Sequence, residues 1–201
     1  MSNTHVHKDY QGAKIGMWLF LFTEVLLFGG MFVLYSVYLS RYPHEFHLAG
    51  KQLDVVIGTV NTVVLLVSSF FVAAAISFLQ SGNKKKAITF TYMTIAMALL
   101  FLVNKGFEWR AKFHHGIWPN SPHVHEMPHG ESIFFSLYFL MTGLHGLHVI
   151  FGSIFMGFVI YFMKKDKVNS TDFVMLENAG LYWHLVDMIW IFLFPLFYLI
   201  L

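Results

Sequence analysis

Five long apolar segments decide what this chain can fold into. Each has at least the roughly 20 residues that an α-helix needs to cross the hydrocarbon of a bilayer. We place them near residues 14–39, 54–80, 87–112, 131–163 and 173–201. Backbone N–H and C=O groups within hydrocarbon must bond internally, so such segments fold as helices. The sequence therefore predicts an all-α polytopic membrane protein: a single domain over residues 1–201, with a polar tail at 1–13 and a bundle of five transmembrane helices.

The composition supports a membrane protein and excludes several classes of site. Charged residues make up 12% of the chain and hydrophobic residues 57%, whereas a soluble domain carries about 25% charged residues. There is no cysteine, which excludes disulfides, thiolate metal ligands and cysteine nucleophiles. The net charge of +2 is small, and gives no indication of nucleic-acid binding.

The lysines between the apolar segments predict the orientation. They are concentrated in the N-terminal region and in the second and fourth connections, as Lys8, Lys14, Lys84, Lys85, Lys86, Lys164, Lys165 and Lys167. Because cytoplasmic connections carry the excess of lysine and arginine, we expect a cytoplasmic N-terminus. With five spans, the C-terminus then lies outside.

Histidines are frequent in the first and third connections, which this orientation places outside. They are His44, His47, His114, His115, His123, His125 and His129. Neutral imidazole is a common metal ligand, but their spacing matches no ligand template. Pro119, Pro122 and Pro128 indicate an irregular surface loop. We predict no metal site there.

The first apolar segment contains a single carboxyl group, Glu24. It lies about 15 Å along the helix from Lys14, which is mid-bilayer. Ionisable groups at that depth normally face protein or water and mark functional sites. Two interpretations remain open: a proton-relay or reactive carboxyl, and an acid that only hydrogen-bonds to a neighbouring helix.

The last apolar segment carries the densest polar cluster, within Gly180–Trp190. His184 and Asp187 share a helix face, with Trp183 and Trp190 beside them. His145 and His148 are likewise three residues apart in the fourth segment. His184 and Asp187 can pair locally, and His145 or His148 can reach them if the fourth and fifth segments are neighbours. We expect these four residues and Asn61 to form a structural polar core. Axial ligation of haem by His145 and His184 is the sharper alternative.

The third segment ends in a group of charged and aromatic residues: Lys105, Glu108, Trp109 and Arg110. Their position near a segment end predicts anchoring at the membrane interface. Contact with a lipid head group or a partner subunit is the alternative. We add three further tryptophans to the interface and lipid candidates: Trp18, Trp183 and Trp190.

Five motifs in this order resemble subunit III of the haem–copper terminal oxidases. They are Gly16-Met17-Trp18-Leu19-Phe20 leading to Thr23-Glu24-Val25-Leu26-Leu27-Phe28, then Asn61-Thr62, Lys105-Gly106-Phe107-Glu108-Trp109, Thr142-Gly143-Leu144-His145-Gly146-Leu147-His148-Val149 and Tyr182-Trp183-His184-Leu185-Val186-Asp187-Met188-Ile189-Trp190. They extend over nearly the whole chain. The resemblance is to the family's short, five-helix form, because the first segment here matches the family's third helix.

This resemblance implies a non-redox accessory subunit of a respiratory oxidase, of the cytochrome c oxidase type, in a bacterial plasma membrane. Such a subunit packs on subunit I, with subunit II and a small subunit IV as further partners. It has no haem or copper of its own, binds phospholipid, and supports oxygen reduction, proton uptake and sustained turnover. Glu24 then corresponds to the family's intramembrane carboxyl. His145, His148, His184 and Asp187 correspond to its structural polar core.

Other functions remain open at this point. The same fold occurs in quinol oxidases and in an accessory protein of nitric oxide reduction. From different classes, the intramembrane Glu24 and histidines also fit a stand-alone proton channel or transporter, or a haem-bearing membrane anchor.

Overall fold

The computed structural model describes residues 9–114, 116–118, 121 and 127–199. This part of the chain contains six helices: α1 (Tyr10–Arg41), α2 (Pro43–Gly50), α3 (Val55–Gln80), α4 (Lys84–His114), α5 (His129–Lys164) and α6 (Val174–Tyr198). Five of them are long and apolar enough to cross a membrane. The prediction of an all-α protein with five such spans is therefore confirmed.

The helix ends differ from the sequence-based bounds in ways that local chemistry explains. The Asp9 side chain accepts from Gly12 N, so α1 begins at Tyr10 and takes in part of the expected tail. Asp54 accepts from Val56 N at 2.9 Å and caps α3 in the same way. The short helix α2 was not predicted; it starts at Pro43, a residue suited to a first helical position.

Four of the long helices, α3 to α6, form a bundle, and α1 lies beside it. α3 and α4 pack along each other after a tight turn in which Gly82 takes a φ of 79°, a backbone conformation that glycine adopts without steric cost. α6 packs against α3 and α5, and α4 also contacts α5. α1 packs against the bundle through α5 and α6.

The lysine-rich connections lie at one end of the bundle. Lys84, at the start of α4, forms a salt bridge with Asp166, just after α5. Lys14 near the start of α1 forms a second with Glu177 near the start of α6, at 2.9 Å. The chain therefore carries its basic clusters on a single side, as the positive-inside pattern requires.

Glycine permits a very close approach of α5 to α6 at one level. A Cβ atom added to Gly152 would lie 2.9 Å from Trp183 Cε3 and 3.1 Å from Tyr182 Cε1. Trp183 is fully buried, so its ring has no open space to move into. Gly157 lies on the same helix, but a Cβ atom added there would meet no heavy atom within 4 Å.

We predict that Gly152→Ala destabilises the bundle by about 1–3 kcal/mol, because overpacking a tight core displaces neighbouring side chains. The matched variant Gly157→Ala should be neutral or slightly stabilising, because alanine has the higher helix propensity. The free energy of unfolding in mixed detergent micelles measures both. Equal effects of the two substitutions would contradict the close contact at Gly152.

Candidate functional site: an intramembrane glutamate–histidine pair

Glu24 on α1 contacts His148 on α5 in the interior of the spans. Glu24 Oε2 lies 2.8 Å from His148 Nε2, and the two side chains are 14% and 11% exposed. No oppositely charged side chain lies within one helical turn of Glu24 along α1. The partner is on another helix, 124 positions along the chain. It comes from the group of residues that we had assigned to the structural polar core.

The imidazole of His148 is held in place from several directions. Its Nδ1 lies 2.7 Å from the backbone oxygen of Leu144. Phe28 of α1 presents an edge-to-face contact to the ring at 5.3 Å between centroids. Tyr182 of α6 lies nearly parallel to it at 6.5 Å and donates a hydrogen bond from its hydroxyl to the His148 carbonyl. Three helices thus determine the orientation of one ring.

The pair borders an open groove of about 380 Å³ between α1, α5 and α6. Aromatic side chains from all three helices line it, including Phe20, Phe151 and Tyr182. The second carboxyl oxygen of Glu24, Oε1, makes no hydrogen bond to any residue the structure describes. The site therefore combines a buried proton-binding pair with spare hydrogen-bonding capacity.

A second polar site, the lysine–tyrosine cluster, consists of Lys105, Glu108, Tyr138 and Tyr198. Lys105 Nζ donates to Glu108 Oε2 at 3.0 Å, to Tyr138 OH at 2.8 Å and to Tyr198 OH at 2.6 Å. Both tyrosine hydroxyls donate to Glu108 Oε1, at 2.7 and 2.6 Å. The ammonium group has three donors, and all three are used. The cluster connects α4, α5 and α6.

The position of this cluster corrects part of the interface prediction. Lys105 and Glu108 are 5% and 4% exposed, inside the bundle and away from its lipid-facing surface, because two tyrosines from other helices cover them. Trp183 and Trp190 are also fully buried. Arg110 is exposed, as is Trp18 at 61%, while Trp109 is half-buried.

A row of four hydrogen bonds, the α3 ladder, joins α3 to α4 and α6. Asn104 Nδ2 donates to Asn61 Oδ1, Trp190 Nε1 to Thr62 Oγ1 and Trp183 Nε1 to Ser68 Oγ, each at 3.0 Å. Ser69 Oγ lies 2.5 Å from His184 Nδ1. Asn61 and His184 thus take part in interhelical bonds.

His184 and Asp187 do not form the local pair that the sequence suggested. His184 is bonded to Ser69, and no described cation lies within 4.0 Å of the Asp187 carboxyl group. Asp187 is 3% exposed and lies beside the Ser68 and Ser69 hydroxyls. The two side chains are on one helix face, but neighbouring α3 offers hydroxyl groups at closer range.

His145 is packed among rings. It is fully buried, with ring centroids 5.5 Å from Phe101 and 5.1 Å from Trp190. An axial haem ligand needs a cavity beside its nitrogen atoms, and the surroundings of His145 are aromatic side chains. Across the described part of the chain, no three metal-ligating side chains come together; His115, His123 and His125 lie outside it.

Several members of these sites were not predicted from the sequence. Tyr138, Tyr198, Asn104 and Ser68 lie within the apolar segments and were not singled out there. A signal existed for Tyr138, which lies two helical turns before His145 on the same face. For Tyr198 the sequence offers no comparable signal, since its partners lie 90 and 93 positions away.

Comparisons with known proteins agree with this architecture. A family model described as cytochrome c oxidase subunit III matches residues 1–200. The chain is 29% identical to cytochrome c oxidase subunit 3 of Thermostichus vulcanus, over 100% of this chain and 92% of that protein. It is 30% identical to the Synechocystis protein of the same name, over 98% and 78%. The Balaenoptera musculus protein is 31% identical over 96% and 72%.

We predict that Lys105→Met destabilises the bundle by about 3–5 kcal/mol, because it leaves the Glu108 carboxylate buried and uncompensated. The double variant Lys105→Met/Glu108→Leu should recover much of that loss. Arg110→Met, an exposed change on the same helix, should stay within about 0.5 kcal/mol of the wild type. Unfolding free energies in mixed micelles measure all three. A double variant less stable than Lys105→Met would refute the ion-pair explanation.

Proposed function

The chain belongs to the cytochrome c oxidase subunit III family, and we propose that it packs against the catalytic subunit I of an aerobic respiratory oxidase as a non-redox accessory subunit. The observation that carries this proposal is the family match over residues 1–200. It coincides with the five ordered motifs and with five long apolar helices.

The exposed faces of α1 support a large contact with a partner subunit. In its most apolar stretch of 18 residues, 11% is buried inside the protein, compared with 50% in the corresponding stretch of α6. Leu19 and Phe22 are 63% and 61% exposed. A spanning helix so weakly covered by its own chain has apolar surface available for another subunit. We propose subunit I as that main neighbour, with subunit II and a small subunit IV as further partners.

We propose that the partner subunits hold the haem and copper, and that this chain holds no redox centre. Among the described residues, no three His, Asp or Glu side chains lie together so that they could hold a metal ion, which supports this division. The names of the relatives favour cytochrome c as electron donor over a quinol.

We place the protein in a bacterial plasma membrane with its N-terminus in the cytoplasm. The basic clusters at one end of the bundle support that orientation. Phospholipid covers the remaining exposed apolar side chains.

Glu24 and its groove are the part of this subunit that we propose to act in proton uptake. The pair is largely buried, can hold a proton, and lines an open groove. We propose structural roles for Asn61, His145, His184 and Asp187. The lysine–tyrosine cluster has a structural role too, since its donors are fully used.

Co-purification tests the assignment to an oxidase. We predict that the tagged chain, extracted from its native membrane in mild detergent, brings down haem-containing subunits with oxygen-reducing activity. The untagged strain is the control. Recovery of a stable homo-oligomer free of haem, or proton flux through the isolated chain in liposomes, would favour the stand-alone channel instead.

We predict that Glu24→Gln leaves assembly intact and lowers proton uptake during turnover modestly. The amide retains the size of the side chain and donates to His148 Nε2, so the contact between α1 and α5 persists. The loss should remain far below the roughly 10²–10⁴-fold contributed by a general acid or base at a reacting centre. Haem content of the purified complex reports assembly. An oxidase that fails to assemble would show that Glu24 is structural.

A further inference from the structure

The hydrogen-bond partners of His148 determine where its first ring proton lies. Nδ1 is 2.7 Å from the Leu144 carbonyl oxygen. A carbonyl oxygen accepts and never donates, so Nδ1 carries a hydrogen and donates it. In a neutral imidazole the other nitrogen, Nε2, is then a bare acceptor.

The contact between His148 and Glu24 therefore needs one more proton. A carboxylate oxygen is also an acceptor only, and two lone pairs facing each other at 2.8 Å would repel. One proton must lie between Glu24 Oε2 and His148 Nε2. Either the carboxylic acid donates to a neutral ring, or an imidazolium donates to a carboxylate.

Both arrangements leave the pair without net charge, which suits its surroundings. No lysine or arginine of the described chain lies within 4.0 Å of Glu24. Two other titratable groups lie beside the pair: Tyr182, whose hydroxyl donates to the His148 carbonyl, and His145, one turn away on α5. A lone carboxylate here would be an uncompensated charge in hydrocarbon, which is costly.

The pair is held together by contacts that do not depend on the shared proton. α1 is fixed at one end by Lys14 with Glu177. At the other end the Tyr35 hydroxyl donates to the Leu196 carbonyl oxygen. Phe28 and Tyr182 hold the imidazole ring. Substitution of one member of the pair therefore leaves the other in place.

From this geometry we infer that Glu24 and His148 form a one-proton unit facing the groove, with His148 as the positioning residue that keeps a proton available to Glu24. When the proton moves, the O–H bond at Glu24 Oε2 breaks and the N–H bond at His148 Nε2 forms, with no change in net charge. The link to proton uptake rests on the proposed function, whereas the proton count itself does not.

The proton count is measured on the full-length chain in lipid nanodiscs, labelled with ¹⁵N-histidine and ¹³C-glutamate. At neutral pH we expect one proton in the wild-type pair, seen either as a protonated Glu24 carboxyl in the infrared or as a protonated His148 Nε2 by NMR. Glu24→Gln assigns the carboxyl signal and should leave His148 neutral, with hydrogen on Nδ1. A carboxylate beside a bare Nε2, or protons on both groups, would overturn the inference.

Proton uptake by the assembled oxidase separates positioning from a purely structural role. His148→Gln should lower uptake as much as Glu24→Gln, and the double variant should be no slower than either single one, because the two residues act as a unit. His129 is an exposed residue of α5, about 28 Å from His148 along the helix. The control substitution His129→Gln should leave the rate of proton uptake at its wild-type value. Wild-type uptake in assembled His148→Gln enzyme, or additive losses, would refute the inference.

The two proposals can fail separately. If the tagged chain brings down no haem-containing partner, the oxidase assignment fails, while the labelled chain still decides the proton count. If His148→Gln prevents assembly, the wild-type and Glu24→Gln spectra suffice for that decision.

Discussion

Polar side chains within hydrocarbon need hydrogen-bond partners, and those that find them on neighbouring helices set the register of the bundle. There is little hydrophobic driving force between helices in lipid, so packing and interhelical hydrogen bonds hold them together. The α3 ladder fixes α3 against α6 through the indole groups of Trp183 and Trp190. A shift of α3 by a single turn would break every bond of the ladder together. Register thus comes from several modest bonds, each worth about 0.6 kcal/mol on average.

α1 follows the same constraint with far less surface. Its buried side chains, Leu21, Phe28 and Tyr35, are seven residues apart and form a narrow stripe. Polar contacts at three levels reinforce that stripe: Lys14 at one end, Glu24 in the middle and Tyr35 at the other. A helix attached along one line leaves grooves beside it, which explains why the Glu24–His148 pair is buried yet reachable.

The sequence allowed prediction of the spans, because length and hydropathy are local properties of a segment. It also singled out Glu24, because a carboxyl group within an apolar segment is unusual however that helix packs against its neighbours. The partners could not be predicted in the same way. Lys105 and Glu108 are three apart, with Trp109 beside them, a pattern equally typical of an exposed interface. Their burial depends on tyrosines 30 and 90 positions from Glu108, which helix crossing brings together.

The same limit explains why His184 does not pair with Asp187, the carboxyl group that shares its helix face. Spacing along one helix shows which side chains share a face, and says nothing about what the neighbouring helix presents to that face. Here α3 presents Ser69, which binds His184. The pairing of His148 with Glu24 likewise required the crossing of α5 and α1, which the sequence does not specify.

Saturation of hydrogen bonds separates the structural polar sites from the site that we propose to be functional. In the lysine–tyrosine cluster each donor of Lys105 has an acceptor, and both carboxyl oxygens of Glu108 accept. In this network no hydrogen of the Lys105 ammonium group is left to bind a further ligand. Glu24 differs, because Oε1 is free of hydrogen bonds to the described residues and the Glu24 side chain lines the groove. Of these two carboxyl groups, Glu24 alone combines a proton-sharing partner with an open side, and proton chemistry needs both.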